Sequence, residues 1–236
     1  MTSEDDERTP GNSNRQPTPL RSYGVSRGGV AHDIDIDEAE NEPAEPGTRV
    51  ERVAEAFKQV LIALDLDLTD PNLAATHVRV ARAYEELFAG LRQGAEPTYR
   101  SFPNTEHYSQ MVSVIDVPFF SLCAHHFLPF FGSAHVAYIP GDRIVGLSKL
   151  ARLVDFYARR PQIQERMTEQ IVTCLNKRLT PQGAMVVLQA RHFCMEMRGV
   201  SKPGVLTTTS ALSGAFEDER VRQEFLSLLP SRTSLG

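Results

Sequence analysis

The chain has 236 residues, 41% hydrophobic and 23% charged, with a formal net charge of -5 and a pI near 5.8. That length and balance suit one domain with a substantial core plus some unstructured excess, and the acidic charge argues against a general nucleic-acid binder. No apolar run approaches the roughly 20 residues of a membrane span, no signal segment opens the chain, and three cysteines fit a reducing, cytoplasmic compartment better than a disulfide scaffold.

Residues 1–47 are rich in Ser, Pro, Gly, Asn, Asp, Glu and Arg without a sustained apolar pattern, which predicts a disordered polar tail. Residues 48–236 are expected to form the folded domain, with helices over 48–92 and a core over 108–230. Val50, Val53, Ala54, Phe57, Val60, Leu61 and Leu64 recur at three and four, the mark of an amphipathic helix ending near Asp65. Asp70-Pro71, a capping residue followed by proline, predicts the start of a second helix that carries Arg79 and stops at Gly90.

The period then changes to two. Met111, Ser113, Ile115, Val117 and Phe119 alternate up to Cys123, and 130–139 reads as a second strand. Ser148 is expected to cap a helix running to Arg160, and Pro161 to open another with Ile163, Met167, Ile171, Leu175 and Leu179 on one stripe. Strands over 185–195 and 205–211 and a helix over 218–229 complete the chain. The order predicts an α+β fold: an antiparallel four-stranded sheet, two helices inserted between strands 2 and 3, and an N-terminal helical pair.

Chemistry concentrates in two clusters. Cys123-Ala124-His125-His126 lies in the connection between the first two strands, and His192-Phe193-Cys194 on the third. Singly, each residue reads as structural, since free cysteine is among the most buried residue types. Spacing changes the odds, because C-x-x-H puts two soft ligands within reach of one ion, and His192 and Cys194, two apart on a strand, are expected to share a face. A set of three protein ligands leaves a position open, as hydrolytic zinc sites do. On spacing alone either His125 or His126 could join Cys123 and Cys194; the other, with His192, would be left to move protons.

Ser148, Lys149 and Arg152 cluster at a predicted helix start, where free N–H groups and added cations suit a phosphate chain. Arg198, just past the third strand, could face the same space. Gln164 and Glu165 fall in a first helical turn. A carboxylate accepting two hydrogen bonds there matches the adjacent N–H and NH2 donors of guanine, although glutamate in a first turn is more often only a cap.

Cys123-Ala124-His125-His126 with Pro129-Phe130, Tyr138-Ile139-Pro140, Gly146-Leu147-Ser148-Lys149-Leu150-Ala151-Arg152, Arg160-Pro161-Gln162-Ile163-Gln164-Glu165-Arg166 and His192-Phe193-Cys194 through Arg198-Gly199 together resemble the GTP cyclohydrolase I family. The resemblance implies zinc bound by Cys123, His126 and Cys194, hydration of guanine C8, loss of that carbon as formate, and 7,8-dihydroneopterin triphosphate as product. It implies His125 as proton donor to the imidazole ring, His192 as a second proton shuttle, and Ser148 among the catalytic residues. Lys149, Arg152 and Arg198 would hold triphosphate and ribose with Ser148, Gln164 and Glu165 the base, and Arg79 a neighbouring subunit's triphosphate. It also implies a tunnelling fold (T-fold), with two stacked pentamers forming a homodecamer and active sites between subunits. Three positions depart from the family pattern: Ala124 stands where glutamate is usual, His77 where proline is, and Ala151 where asparagine is.

A related enzyme acting on another purine or pterin is disfavoured by Glu165 together with the four phosphate-directed residues. A non-catalytic binder is disfavoured by two histidines able to carry protons.

Overall fold

The computed structural model describes residues 47–98 and 100–230; all of the expected tail except Gly47 lies outside them. The first helix, α1 (Arg49–Ala63), is capped by Thr48, whose hydroxyl accepts from the Glu51 N–H, and it buries Ala54 and Leu61. The second, α2 (Thr76–Leu87), starts later than Asp70-Pro71 predicts. Asp70 caps a turn instead: its carboxylate accepts from the Asn72 N–H at 2.8 Å, and its carbonyl takes the N–H groups of Leu73 and Ala74. Capping residues favour such local turns as strongly as helix starts.

The main sheet has five strands, in the spatial order Pro161–Gln162, Val112–Cys123, Pro129–Ile139, Gly183–His192 and Leu206–Gly214. Strands β2 (Val112–Cys123), β3 (Pro129–Ile139), β6 (Gly183–His192) and β7 (Leu206–Gly214) run antiparallel. The fifth, β5 (Pro161–Gln162), pairs parallel with β2, Leu122 opposite Pro161 and Cys123 opposite Gln162. Pro161 therefore belongs to an edge strand, where its missing N–H is tolerated, and does not open the helix. Two short strands, β1 (Ser101–Pro103) and β4 (Arg143–Val145), form a separate antiparallel pair.

Helices α3 (Leu147–Ala158) and α4 (Gln164–Leu179) follow β4 and β5. Their apolar stripes, Leu150, Leu153 and Val154 with Met167, Ile171 and Leu175, pack in one core with Phe119, Phe130, Val136, Tyr138, Val186 and Leu188 of the sheet. The opposite face, carrying Ala137, Met185 and Val187, packs on Phe216 and on Phe225 of α6 (Glu219–Leu228). Strands β3 and β6 are thus covered on both sides, which explains their nearly continuous apolar sequence. They also approach closely: a Cβ on Gly132 would lie 1.8 Å from the Gln189 carbonyl oxygen.

Candidate active site

The first cluster hangs from the end of β2. The Cys123 N–H donates to the Leu128 carbonyl at 2.9 Å, and the Cys123 carbonyl accepts from the Phe127 N–H at 2.8 Å. Phe127 turns the chain with a left-handed φ of 54°. Its ring lies 5.7 Å from that of Phe88 and 6.5 Å from that of Tyr84 on α2, so the loop tip rests on a helix. The Ala124 N–H donates to the Gln162 carbonyl at 2.8 Å, extending the pairing of β2 with β5 into the loop. A mobile-looking C-x-x-H sequence is therefore held from three sides.

The second cluster differs from its expected form. Strand β6 ends at His192, and Phe193–Glu196 forms a single helical turn, α5. His192 and Cys194 consequently do not share a strand face. The turn is closed by Met197 N–H to the Phe193 carbonyl at 3.0 Å and bracketed by Arg191, whose Nε and Nη2 donate to the two Glu196 carboxylate oxygens at 2.8 and 2.6 Å. The guanidinium holds the Glu196 carboxyl below its ordinary range.

The outcome is one compact group. The ligand atoms of Cys123, His126 and Cys194 all lie within 4.8 Å of one another, with Cys123 Sγ 3.8 Å from His126 Nδ1. A tetrahedral zinc site with bonds of about 2.0–2.3 Å sets its ligand atoms about 3.5 Å apart, close to that separation. Burial pushes the Cys194 thiol up and the adjacent Cys123 adds to it, while Arg198 opposes. Two converging sulfurs and an imidazole nitrogen are the donors a soft divalent cation favours, so these residues fit such an ion. His125 is exposed, its Nδ1 3.9 Å from Cys123 Sγ.

His192 is half-buried, and desolvation lowers its pKa against the opposing pull of Glu165 and Glu196. The Phe130 ring lies on its imidazole at 4.7 Å and 3° between planes. Its Nε2 is 2.7 Å from Gln164 Oε1. Gln164, assigned to a base by resemblance, is only 2% exposed and gives its amide to protein partners. Its neighbour Glu165 is exposed in the first turn of α4 and interacts electrostatically with His192.

The phosphate-directed residues fall into two groups. Arg198 lies near enough to Cys194 to interact with it electrostatically. Gly146, not Ser148, is the cap of α3; Ser148 is exposed inside the first turn and makes no capping bond, because the helix begins two residues earlier than expected. Lys149 shares that turn, and Arg152 lines a cleft of about 450 Å³ with Gly90, Arg92, Asp155 and Arg159. Arg79 is half-buried on α2. Sequence reasoning missed the Phe130 stack, the Arg191–Glu196 bracket and the burial of Gln164.

A mixed domain of helices and sheet that gathers two cysteines and a histidine beside two further histidines is a candidate metal-centre protein. A family profile described as GTP cyclohydrolase I matches residues 53–230. Proteins named GTP cyclohydrolase 1 align over most of the chain: one from Parabacteroides distasonis is 51% identical over 180 residues, covering 76% of this chain and 92% of that one. Another from Porphyromonas gingivalis is 49% identical over 181 residues, covering 77% and 94%. A third, from Thermobifida fusca, is 49% identical over 184 residues, covering 77% and 88%. The chain belongs to the GTP cyclohydrolase I family, a family of enzymes.

Proposed function

We propose that this chain converts GTP to 7,8-dihydroneopterin triphosphate and formate in a zinc-dependent reaction, the first step of tetrahydrofolate and pterin biosynthesis, in the cytoplasm. The observation that carries the reading is the convergence of Cys123, His126 and Cys194 within 4.8 Å beside a held imidazole, His192. Cys123, His126 and Cys194 would hold zinc, which supplies an activated water and Lewis acidity when bound. His125, exposed next to that group, gives a proton to the imidazole nitrogen of the base as the ring opens. His192 moves protons in ring opening and the later sugar rearrangement, its plane fixed by Phe130. Glu165 accepts from the guanine donors, and exclusion of its charge from a non-guanine base supplies selectivity.

Ser148, Lys149, Arg152 and Arg198 hold triphosphate and ribose, with Ser148 contributing to catalysis through its hydroxyl. Arg79 reaches the triphosphate of a neighbouring subunit in a tunnelling-fold homodecamer of two stacked pentamers. That assembly is supported by β7 at the sheet's edge, which a neighbouring sheet would pair, and by Phe120, 67% exposed although stacked on Phe131. No helix among the described residues is long and apolar enough to cross a membrane.

The test is a substrate panel. GTP should yield pterin absorbance and formate while ATP and GMP yield neither; turnover of ATP at a rate comparable to GTP would overturn the assignment of Glu165 and the substrate.

A further inference from the structure

The hydrogen bonds around Gln164 decide which nitrogen of His192 carries its proton. Gln164 is the first residue of α4 and 2% exposed. Its Nε2 lies 3.1 Å from the Leu188 carbonyl oxygen, 3.1 Å from the Thr207 carbonyl oxygen and 3.2 Å from Thr209 Oγ1. Carbonyl oxygens only accept, so the amide nitrogen must face them; a flipped carboxamide would set oxygen against two oxygens. The hydroxyls agree with this orientation. Thr168 Oγ1 donates to the Gln164 backbone carbonyl at 2.8 Å and lies 2.7 Å from Thr209 Oγ1. A closed circuit results: Gln164 Nε2 donates to Thr209, Thr209 to Thr168, and Thr168 back to the Gln164 backbone.

With its nitrogen committed, Gln164 offers His192 an oxygen, 2.7 Å from His192 Nε2. A carboxamide oxygen cannot donate, so the imidazole must. In the neutral ring the proton then sits on Nε2 and the lone pair on Nδ1. Phe130, parallel to the ring at 4.7 Å, opposes the ring flip that would put Cε1 in the place of Nε2.

We propose that Gln164 is a positioning residue that locks His192 in the Nε2–H form, so that Nδ1 is the nitrogen exchanging protons with substrate. This rests on the proposed function for what the proton exchange serves, though not for the tautomer itself. It gives Gln164 a part in turnover through His192 rather than in holding the base.

Two measurements test it. The first reads the wild-type chain without substrate: nitrogen-15 NMR of the zinc-loaded full chain labelled at histidine, at mildly alkaline pH, with His192→Asn used only to assign the His192 signals. A pyridine-like Nδ1 and a protonated Nε2 are expected; a protonated Nδ1 with bare Nε2 overturns the proposal. The second is steady-state kinetics of Gln164→Met, with zinc content and thermal transition confirmed near wild type. kcat for GTP should fall about 10- to 100-fold, up to the lower end of general acid–base contributions because His192 itself is retained, while KM moves by less than about threefold. A rise in KM at unchanged kcat would show that Gln164 holds the base and would overturn the proposal. If Gln164→Met does not fold, the tautomer in the wild-type chain decides alone. If the wild type turns over no GTP, the proposed function fails while the tautomer measurement still tests Gln164.

Discussion

Replacing Phe130 by leucine separates what the site needs from what the core needs. Phe130 has no exposed surface. One face lies against His192 at 4.7 Å, and its ring meets Phe119 edge-on at 5.9 Å. Leucine keeps much of the volume, so the packing loss is about 1–1.5 kcal/mol, and each lost aromatic contact adds about 0.5–1.5 kcal/mol. The sum is about 2–4.5 kcal/mol. Ordinary domains have about 5–15 kcal/mol in hand, so the variant folds. With a urea slope of about 2 kcal/mol per molar, the midpoint should fall by about 1–2 M. None of the three ligand side chains is touched, so zinc should stay at one per chain. Turnover should nevertheless drop, because the imidazole loses the surface that fixes its plane. Urea titration, metal analysis and the GTP rate on one preparation check all three. A Phe130→Leu protein with a lowered midpoint and an unchanged rate would refute the idea that the stack orients His192.

Arg191→Met should unbrace the turn bearing Cys194 and weaken zinc binding about 10- to 100-fold, the usual effect of losing a partner behind a ligand; competition against a chromophoric chelator reads this directly. The Glu196 carboxyl is held below its ordinary value of 4.5 by Arg191, so that pair's contribution is present above that pH and lost as the pH falls through the depressed value. The stability gap between wild type and Glu196→Gln should therefore close on acidification, as denaturation at stepped pH would show. Cys194→Ala should lose the metal, whereas His125→Ala should keep it and lose turnover; zinc at wild-type stoichiometry in the first would break the ligand assignment. Gly132→Ala should yield little folded protein, because the added methyl meets the β6 backbone where neither strand can yield; expression at wild-type level with an unchanged thermal transition would contradict that.

Elements with strong periodicity were legible, and those set by distant partners were not. The strand over 130–139 is observed as Pro129–Ile139, and the stripe from Met167 to Leu179 falls on α4. The apolar run over 185–195 reads as one strand, yet the chain coils after His192; Arg191 and Glu196 pair across the bend, a contact that an apolar run does not encode. Pro161 carries the signal of a helix start and instead pairs with β2, whose Leu122 is far away in sequence. Gln164 stands beside exposed Glu165 and looks equally available. Its acceptors come from β6 and β7, so its burial follows from tertiary packing alone. In the metal group, spacing left His125 and His126 equivalent, and only the folded loop brings His126 together with Cys123 and Cys194.

The most direct single test is formate release from GTP by zinc-loaded protein, with pterin absorbance followed in parallel and the same preparation assayed after chelation and again after zinc is restored. One formate per GTP, abolished by the chelator and recovered with zinc, is the expected result. Zinc-replete, assembled protein that releases no formate would contradict the proposed reaction.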